Sequence, residues 1–182
     1  MIITISGLHG TGKSTIAKLL ANNLGLPYYS TGQAFRDLAE DYSMTLEEFS
    51  DYVERNPEID KSLDKKVIDM AKKGSIVIDS QLSGHLLKSI ADYKIHLTCP
   101  LKVRVERMTA RDQSSYDAKL NETTIREESE LKRFNKLYNI DLSDNDFIQN
   151  FFDLIIDTES LSIEAVMQII LKDLEKIKPN DF

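Results

Sequence analysis

The stretch Gly7-Leu8-His9-Gly10-Thr11-Gly12-Lys13-Ser14 decides the fold. It satisfies the pattern G-x-x-x-x-G-K-[ST] at every constrained position. Before it, Ile2-Ile3-Thr4-Ile5 reads as a buried strand. After it, residues 15–24 read as an amphipathic helix with Ile16, Leu19, Leu20 and Leu24 on one face. Strand, glycine loop and helix in that order make an anion cradle. Gly7 and Gly12 let the backbone bend and approach a phosphate with no Cβ in the way. Successive N–H groups then point inward at a helix N-terminus. Lys13 supplies a point charge to β- and γ-phosphates, and Ser14 offers a hydroxyl to Mg2+. The nucleotide-binding segment is therefore Gly7, Leu8, His9, Gly10, Thr11, Gly12, Lys13, Ser14 and Thr15. Within it, His9 reads as solvated loop filler and not as a catalytic group.

Outward from the loop, strands and helices alternate. Strand 2–6 leads to helix 13–24, and a short strand at Tyr28-Tyr29 leads to a helix from Thr31 to about Tyr42, capped by Ser30 or Thr31. Thr45-Leu46-Glu47-Glu48 has capping-box spacing and opens another helix. Pro57 begins the next, with Ile59, Leu63, Val67 and Met70 on its face and Gly74 as its stop. Ser75-Ile76-Val77-Ile78-Asp79, Lys94-Ile95-His96-Leu97-Thr98 and Asp153-Leu154-Ile155-Ile156-Asp157 read as strands. A helix runs from Pro100 to about Arg111. Ser162 caps a final helix with Ile163, Val166, Ile170 and Leu174 on its apolar face. Short continuous apolar strands between helices predict an α/β fold: five parallel strands covered on both faces. Residues 31–73 and 112–145 stand out as insertions over the carboxyl ends of the strands, where such folds bind ligands. The whole chain, 1–182, is expected to be one domain.

Composition narrows the function. The net charge of −7 argues against a sequence-independent nucleic-acid binder, which needs a basic face. Cys99 is the one cysteine and allows no internal disulfide, which suits a reducing cytoplasm; in its apolar run it reads as a buried structural thiol. No apolar run has the length of a membrane span. The expectation is a cytoplasmic monomer with small-molecule partners, neither nucleic acid nor membrane. The N-terminus reads as a core strand and not as a signal peptide.

Arginines form the second signal. Arg104, Arg107 and Arg111 share one helical face, and so do Arg126 and Arg133, two turns apart, with Glu130 between them. In segments that overhang a phosphate site, such arginines suit the negative charge that a transferred phosphoryl group spreads over its oxygens. Arg36, in the second turn of its helix, is placed to hold an acceptor phosphate. Asp79, at the end of its strand, is a candidate for the magnesium shell beside Ser14. His85 reads as a packing or rim residue, and His96, inside a strand, as structural. No Cys/His cluster suggests zinc, and no nucleophile–His–acid set is present or needed.

Together these residues resemble the nucleoside monophosphate kinases, and most closely the archaeal-type cytidylate kinases. The resemblance runs through Ser30-Thr31-Gly32-Gln33-Ala34-Phe35-Arg36-Asp37-Leu38-Ala39, Asn56-Pro57-Glu58-Ile59-Asp60, Leu101-Lys102-Val103-Arg104-Val105-Glu106-Arg107, Arg126-Glu127-Glu128-Ser129-Glu130 and Arg133-Phe134-Asn135-Lys136-Leu137-Tyr138-Asn139-Ile140-Asp141. It implies transfer of the ATP γ-phosphoryl group to CMP, with dCMP as a further acceptor and Mg2+ as cofactor. It also implies an acceptor-binding region at 31–73 and a lid at about 112–125. Lys13, Arg107, Arg111, Arg126 and Arg133 would be its catalytic residues. Ser30, Arg36, Gln81, Arg126 and Arg133 would bind the acceptor, and Ser14 and Asp79 the metal. Two positions depart from the family pattern. Gln33 stands where an Asp is common, and Ser80-Gln81 where a Gly-Arg pair is common, so that one phosphate-binding arginine is either missing or replaced by Arg104. Kinases for AMP, UMP, shikimate or dephospho-coenzyme A stay open as alternatives, as does a nucleotide-operated switch or binding module. Against these, the Asp-Gly-Phe-Pro-Arg stretch of adenylate kinases is absent, and Asn135-Lys136-Leu137-Tyr138 lacks the acid a guanine site needs.

Overall fold

The structure, a computed structural model, describes residues 1–142 and 144–176. Its elements are β1 (Ile2–Ser6), α1 (Lys13–Leu24), β2 (Tyr28–Ser30), α2 (Thr31–Asp41), α3 (Leu46–Arg55), α4 (Glu58–Ala71) and β3 (Ile76–Asp79). They continue as α5 (Ser83–Leu86), β4 (Tyr93–Thr98), α6 (Leu101–Asp112), α7 (Tyr116–Tyr138), α8 (Asn145–Phe151), β5 (Leu154–Asp157) and α9 (Ile163–Leu174). The five strands form one parallel sheet in the order β2-β3-β1-β4-β5.

Strand residues alternate between two apolar layers, because successive side chains point to opposite faces. Ile3, Ile5, Val77, Ile95, Leu97 and Ile156 pack against Ile16, Ala17, Leu20 of α1 and Val166, Ile170 of α9. Ile76 and Ile78 face Val67 and Ala71 of α4, with Leu87 beyond α5. A third cluster, Phe35, Ala39, Phe49, Val53 and Leu63, holds α2, α3 and α4 together away from the sheet. Phe49 is its centre, with the Phe35 ring 4.9 Å away edge-on. The region at 31–63 therefore has its own small core.

Helix starts follow local chemistry. Ser30 accepts from the Gln33 N–H at the start of α2, and Ser162 from the Ala165 N–H at the start of α9. Thr45 and Glu48 complete both arms of the capping box that opens α3. Some expectations are corrected. Leu19 and Ile163 are exposed rather than buried, since α1 and α9 bury narrower stripes than a full helical face. Cys99 is half-buried, one residue past β4. The stretch around residues 112–125 is the end of α6, a short link and the first turns of α7, a single helix of 23 residues. Neither α5 nor α8 has a counterpart in the sequence reading. Of the single domain expected over 1–182, residues 143 and 177–182 lie outside the described residues.

Candidate active site

The parallel register assembles the site. It aligns Ile5 with Asp79 and Asp79 with Ser30, so the β3 carboxylate sits beside the strand that enters the glycine loop. In the loop, Gly7 has φ +142°, and a Cβ there would meet the Leu97 carbonyl oxygen of β4 at 2.3 Å. Gly10 has φ +78°, with the Arg104 carbonyl oxygen of α6 at 2.7 Å from the same imagined Cβ. Gly12 faces open space, and only its φ of +94° calls for glycine. Lys13 Nζ donates to the Leu8 carbonyl at 2.7 Å, and Thr11 Oγ1 to the same oxygen at 2.9 Å. Burial lowers the Lys13 ammonium to about 8, against the pull of Asp79, Glu130 and Glu127.

A cleft of about 1080 Å³ opens above this loop, lined by residues 9–16 together with Asp79, Gln81, Arg36, Arg107, Arg111 and Arg126. Gly7 and Leu8 lie behind its wall. Asp79 is buried and accepts from the Tyr28 hydroxyl at 2.6 Å and from Ser30 Oγ at 3.0 Å. Burial and the Asp79 carboxylate push the Tyr28 hydroxyl up to about 12, so it stays a donor. Each Asp79 oxygen thus has one donor and keeps further acceptor capacity. Ser14 lines the same cleft. These hard oxygen groups suit Mg2+, which favours one or two protein oxygens completed by phosphates and water. Among the described residues no group of three His, Cys, Asp or Glu side chains makes a protein-only metal site. Ser30, expected at the acceptor, instead caps α2 and steadies Asp79.

Four arginines line the cleft, one from α2, two from α6 and one from α7. The Arg36 guanidinium is pulled down by burial and then by the like charges of Arg111 and Arg126. Gln33 orients it, accepting from Arg36 Nη2 at 2.9 Å. Asp112 grips Arg111 with two bonds, at 2.6 and 3.0 Å. Glu130 accepts from Arg126 Nε at 3.0 Å. Arg107 is fixed by Thr158, whose hydroxyl accepts at 3.0 Å and whose carbonyl accepts at 2.5 Å.

Two arginines turn away from the loop's phosphate face. Arg104 is 4 % exposed, and its guanidinium pairs with Glu127 at 2.5 Å and donates to the His9 and Cys99 carbonyls. It is a structural tie, and its role as substitute phosphate ligand is withdrawn. Arg133 is buried with Nε 2.7 Å from Asp60 Oδ2, behind the cleft wall. His9, expected to be solvated, is held on both sides. Its N–H donates to Glu127 at 3.2 Å, and its Nε2 lies 2.7 Å from Glu130 Oε2. Gln81 Nε2 donates to the same Glu130 oxygen at 2.6 Å, so the 2.9 Å approach of Gln81 to His9 joins two donors aimed at one acceptor. Burial raises the Glu130 carboxyl, but His9, Arg126 and Gln81 together hold it well below the usual carboxylate range. His85 stacks on Phe151 at 4.2 Å, and His96 packs on Phe152 at 4.6 Å; burial lowers both imidazoles to about 4.

A protein-family profile described as an AAA domain matches residues 3–134. The cytidylate kinase of Staphylothermus marinus is 40 % identical over 176 residues, 97 % of each chain. That of Methanocaldococcus jannaschii is 38 % identical over 181 residues, covering 98 % of this chain and 99 % of its own. The chain belongs to the cytidylate kinase family. A shikimate kinase from Bacteroides thetaiotaomicron superposes with a TM-score of 0.65 at 15 % identity over 96 % of this chain and 98 % of that one, a likeness of fold alone.

Within the cytidylate kinase frame, the sequence showed Glu130 beside Arg126 but not its contact with His9, and showed nothing of the roles of Tyr28, Glu127 and Thr158. Tyr28 opens β2 and Thr158 follows β5, and neither belongs to a motif. Glu127 and Glu130 lie inside a quoted stretch, but their partners at His9 are 118 and 121 residues away.

Proposed function

We propose that this protein transfers the γ-phosphoryl group of ATP to CMP, giving ADP and CDP. The observation that carries the reading is the convergence of Arg36, Arg111 and Arg126 on the cleft that also holds Lys13 and the loop. Arg36, pulled down by burial and then by the like charges of Arg111 and Arg126, suits a site whose occupant brings several negative charges. The 38–41 % identity to cytidylate kinases over almost the whole chain supports the acceptor assignment.

In this mechanism the loop N–H groups and Lys13 hold the donor phosphates. To do so, Lys13 exchanges the Leu8 carbonyl for phosphate oxygens. Arg36 holds the acceptor phosphate, and Arg111 and Arg126 bridge donor and acceptor. Arg107, fixed by Thr158, borders the donor side. Ser14 and Asp79 would hold Mg2+, which, bound to the nucleotide, offsets charge on the phosphates. A CMP phosphate oxygen attacks the γ-phosphorus in line, and the bond to the β-phosphate oxygen breaks as ADP leaves. Closure of the segment at about 112–125 over the cleft excludes water, which otherwise competes for the γ-phosphorus.

ADP formation, followed with Mg2+ and a panel of CMP, dCMP, UMP, AMP, GMP and shikimate, tests the reading. CMP should give the highest kcat/KM, and chelation of Mg2+ should abolish turnover. A higher kcat/KM with AMP or shikimate, or turnover that ignores the acceptor, overturns it.

A further inference from the structure

The cleft has an apolar portion as well as a phosphate portion. Phe35, Leu46, Leu63 and Phe134 line it, and so do Asp60 and Asp64, one turn apart on the same face of α4. Flat apolar walls with acids among them suit a nucleobase better than a sugar or a carboxylic acid. The two acids differ in their surroundings. Asp64 Oδ2 is occupied, accepting from the Tyr138 hydroxyl. Asp60 Oδ2 is held in an ion pair by Arg133 Nε, 2.7 Å away, which leaves Oδ1 as the Asp60 oxygen open to a donor. Arg133 is only 9 % exposed. Of Asp60 and Arg133 only Asp60 lines the cleft, so its carboxylate, backed by Arg133, is the group a ligand there meets.

We propose that Asp60 reads the exocyclic amino group of the acceptor's base, with Arg133 as a positioning residue behind it; this rests on the cytidylate kinase reading above. An ionised carboxylate only accepts hydrogen bonds. Cytosine presents its 4-amino donor, and the carboxylate accepts from it. Uracil presents the O4 carbonyl at the same place, so two acceptors face each other and the Asp60 oxygen stays unsatisfied. Burial raises the Asp60 carboxyl, and Arg133, which aims it, opposes that shift. Adenine carries the same amino group, so Asp60 separates amino from keto bases and leaves pyrimidine against purine to the walls.

The test is Asp60→Asn, assayed with CMP, UMP and the 4-unsubstituted pyrimidin-2-one ribonucleotide. An amide offers a donor to O4 as readily as an acceptor to the amine. The wild-type preference for CMP over UMP should narrow by about tenfold or more in the variant, with the Kd for ATP unchanged. Because Asp60→Asn leaves Arg133 buried without a counter-charge, the wild-type protein provides a second arm. It should use the pyrimidin-2-one nucleotide about tenfold less well than CMP, through loss of the amino contact alone. A CMP-to-UMP ratio unmoved in a folded variant, or equal use of the two nucleotides by wild type, overturns the inference. Failure of wild type to phosphorylate CMP at all is the separate failure of the cytidylate kinase reading.

Discussion

Lys13 is charged and ready for an anion below about pH 8, the value to which burial lowers it, and neutral above it. A bound phosphate favours the charged form, so nucleotide binding takes up a proton where the free amine is neutral. Calorimetry of ATP binding in buffers of different ionisation heat checks this. Uptake at this group should be near zero at about pH 6.5 and approach one proton at about pH 9. The rise should vanish in Lys13→Met. Buffer-independent heats at the higher pH contradict it. The places of Lys13, Ser14 and the loop glycines were legible from a fixed motif spacing, and that of Asp79 from its position at the end of β3. Arg104 and Arg133 were misplaced for a physical reason. Helical spacing shows that arginines share a face, but not that Glu127 and Asp60, on other helices, stand opposite two of them.

At the scale of elements, caps and strand runs were read directly, because Thr45, Ser30 and Ser162 act within three residues of themselves. The helix α7 was not, because its length and its grip on the loop depend on tertiary partners. Glu127 joins it to α6 through Arg104 and to the loop through the His9 N–H. Glu127→Ala leaves a buried guanidinium without its counter-charge, a change that costs about 3–5 kcal/mol. Urea denaturation should show that loss, while Glu122→Ala, on the exposed side of α7, should change little. Equal midpoints for the two variants contradict the tie.

For the molecule as a whole, the sheet sets the loop and Asp79, and the separate cluster around Phe49 holds α2, α3 and α4 above them. The cleft lies between these two parts, and its walls come from segments far apart in sequence. That explains why the sequence showed the sheet and the loop, but not that Asp60 and Asp64 line the cleft beside Phe35 and Phe134. The account's central claim is transfer to a nucleotide and not hydrolysis. Phosphorus NMR of one reaction containing protein, Mg2+, ATP and CMP tests it most directly. The account predicts ADP and CDP appearing in equal amounts, with no inorganic phosphate above the protein-free control. Inorganic phosphate accumulating while CMP stays intact would contradict it and mark the chain as a nucleotide-operated switch.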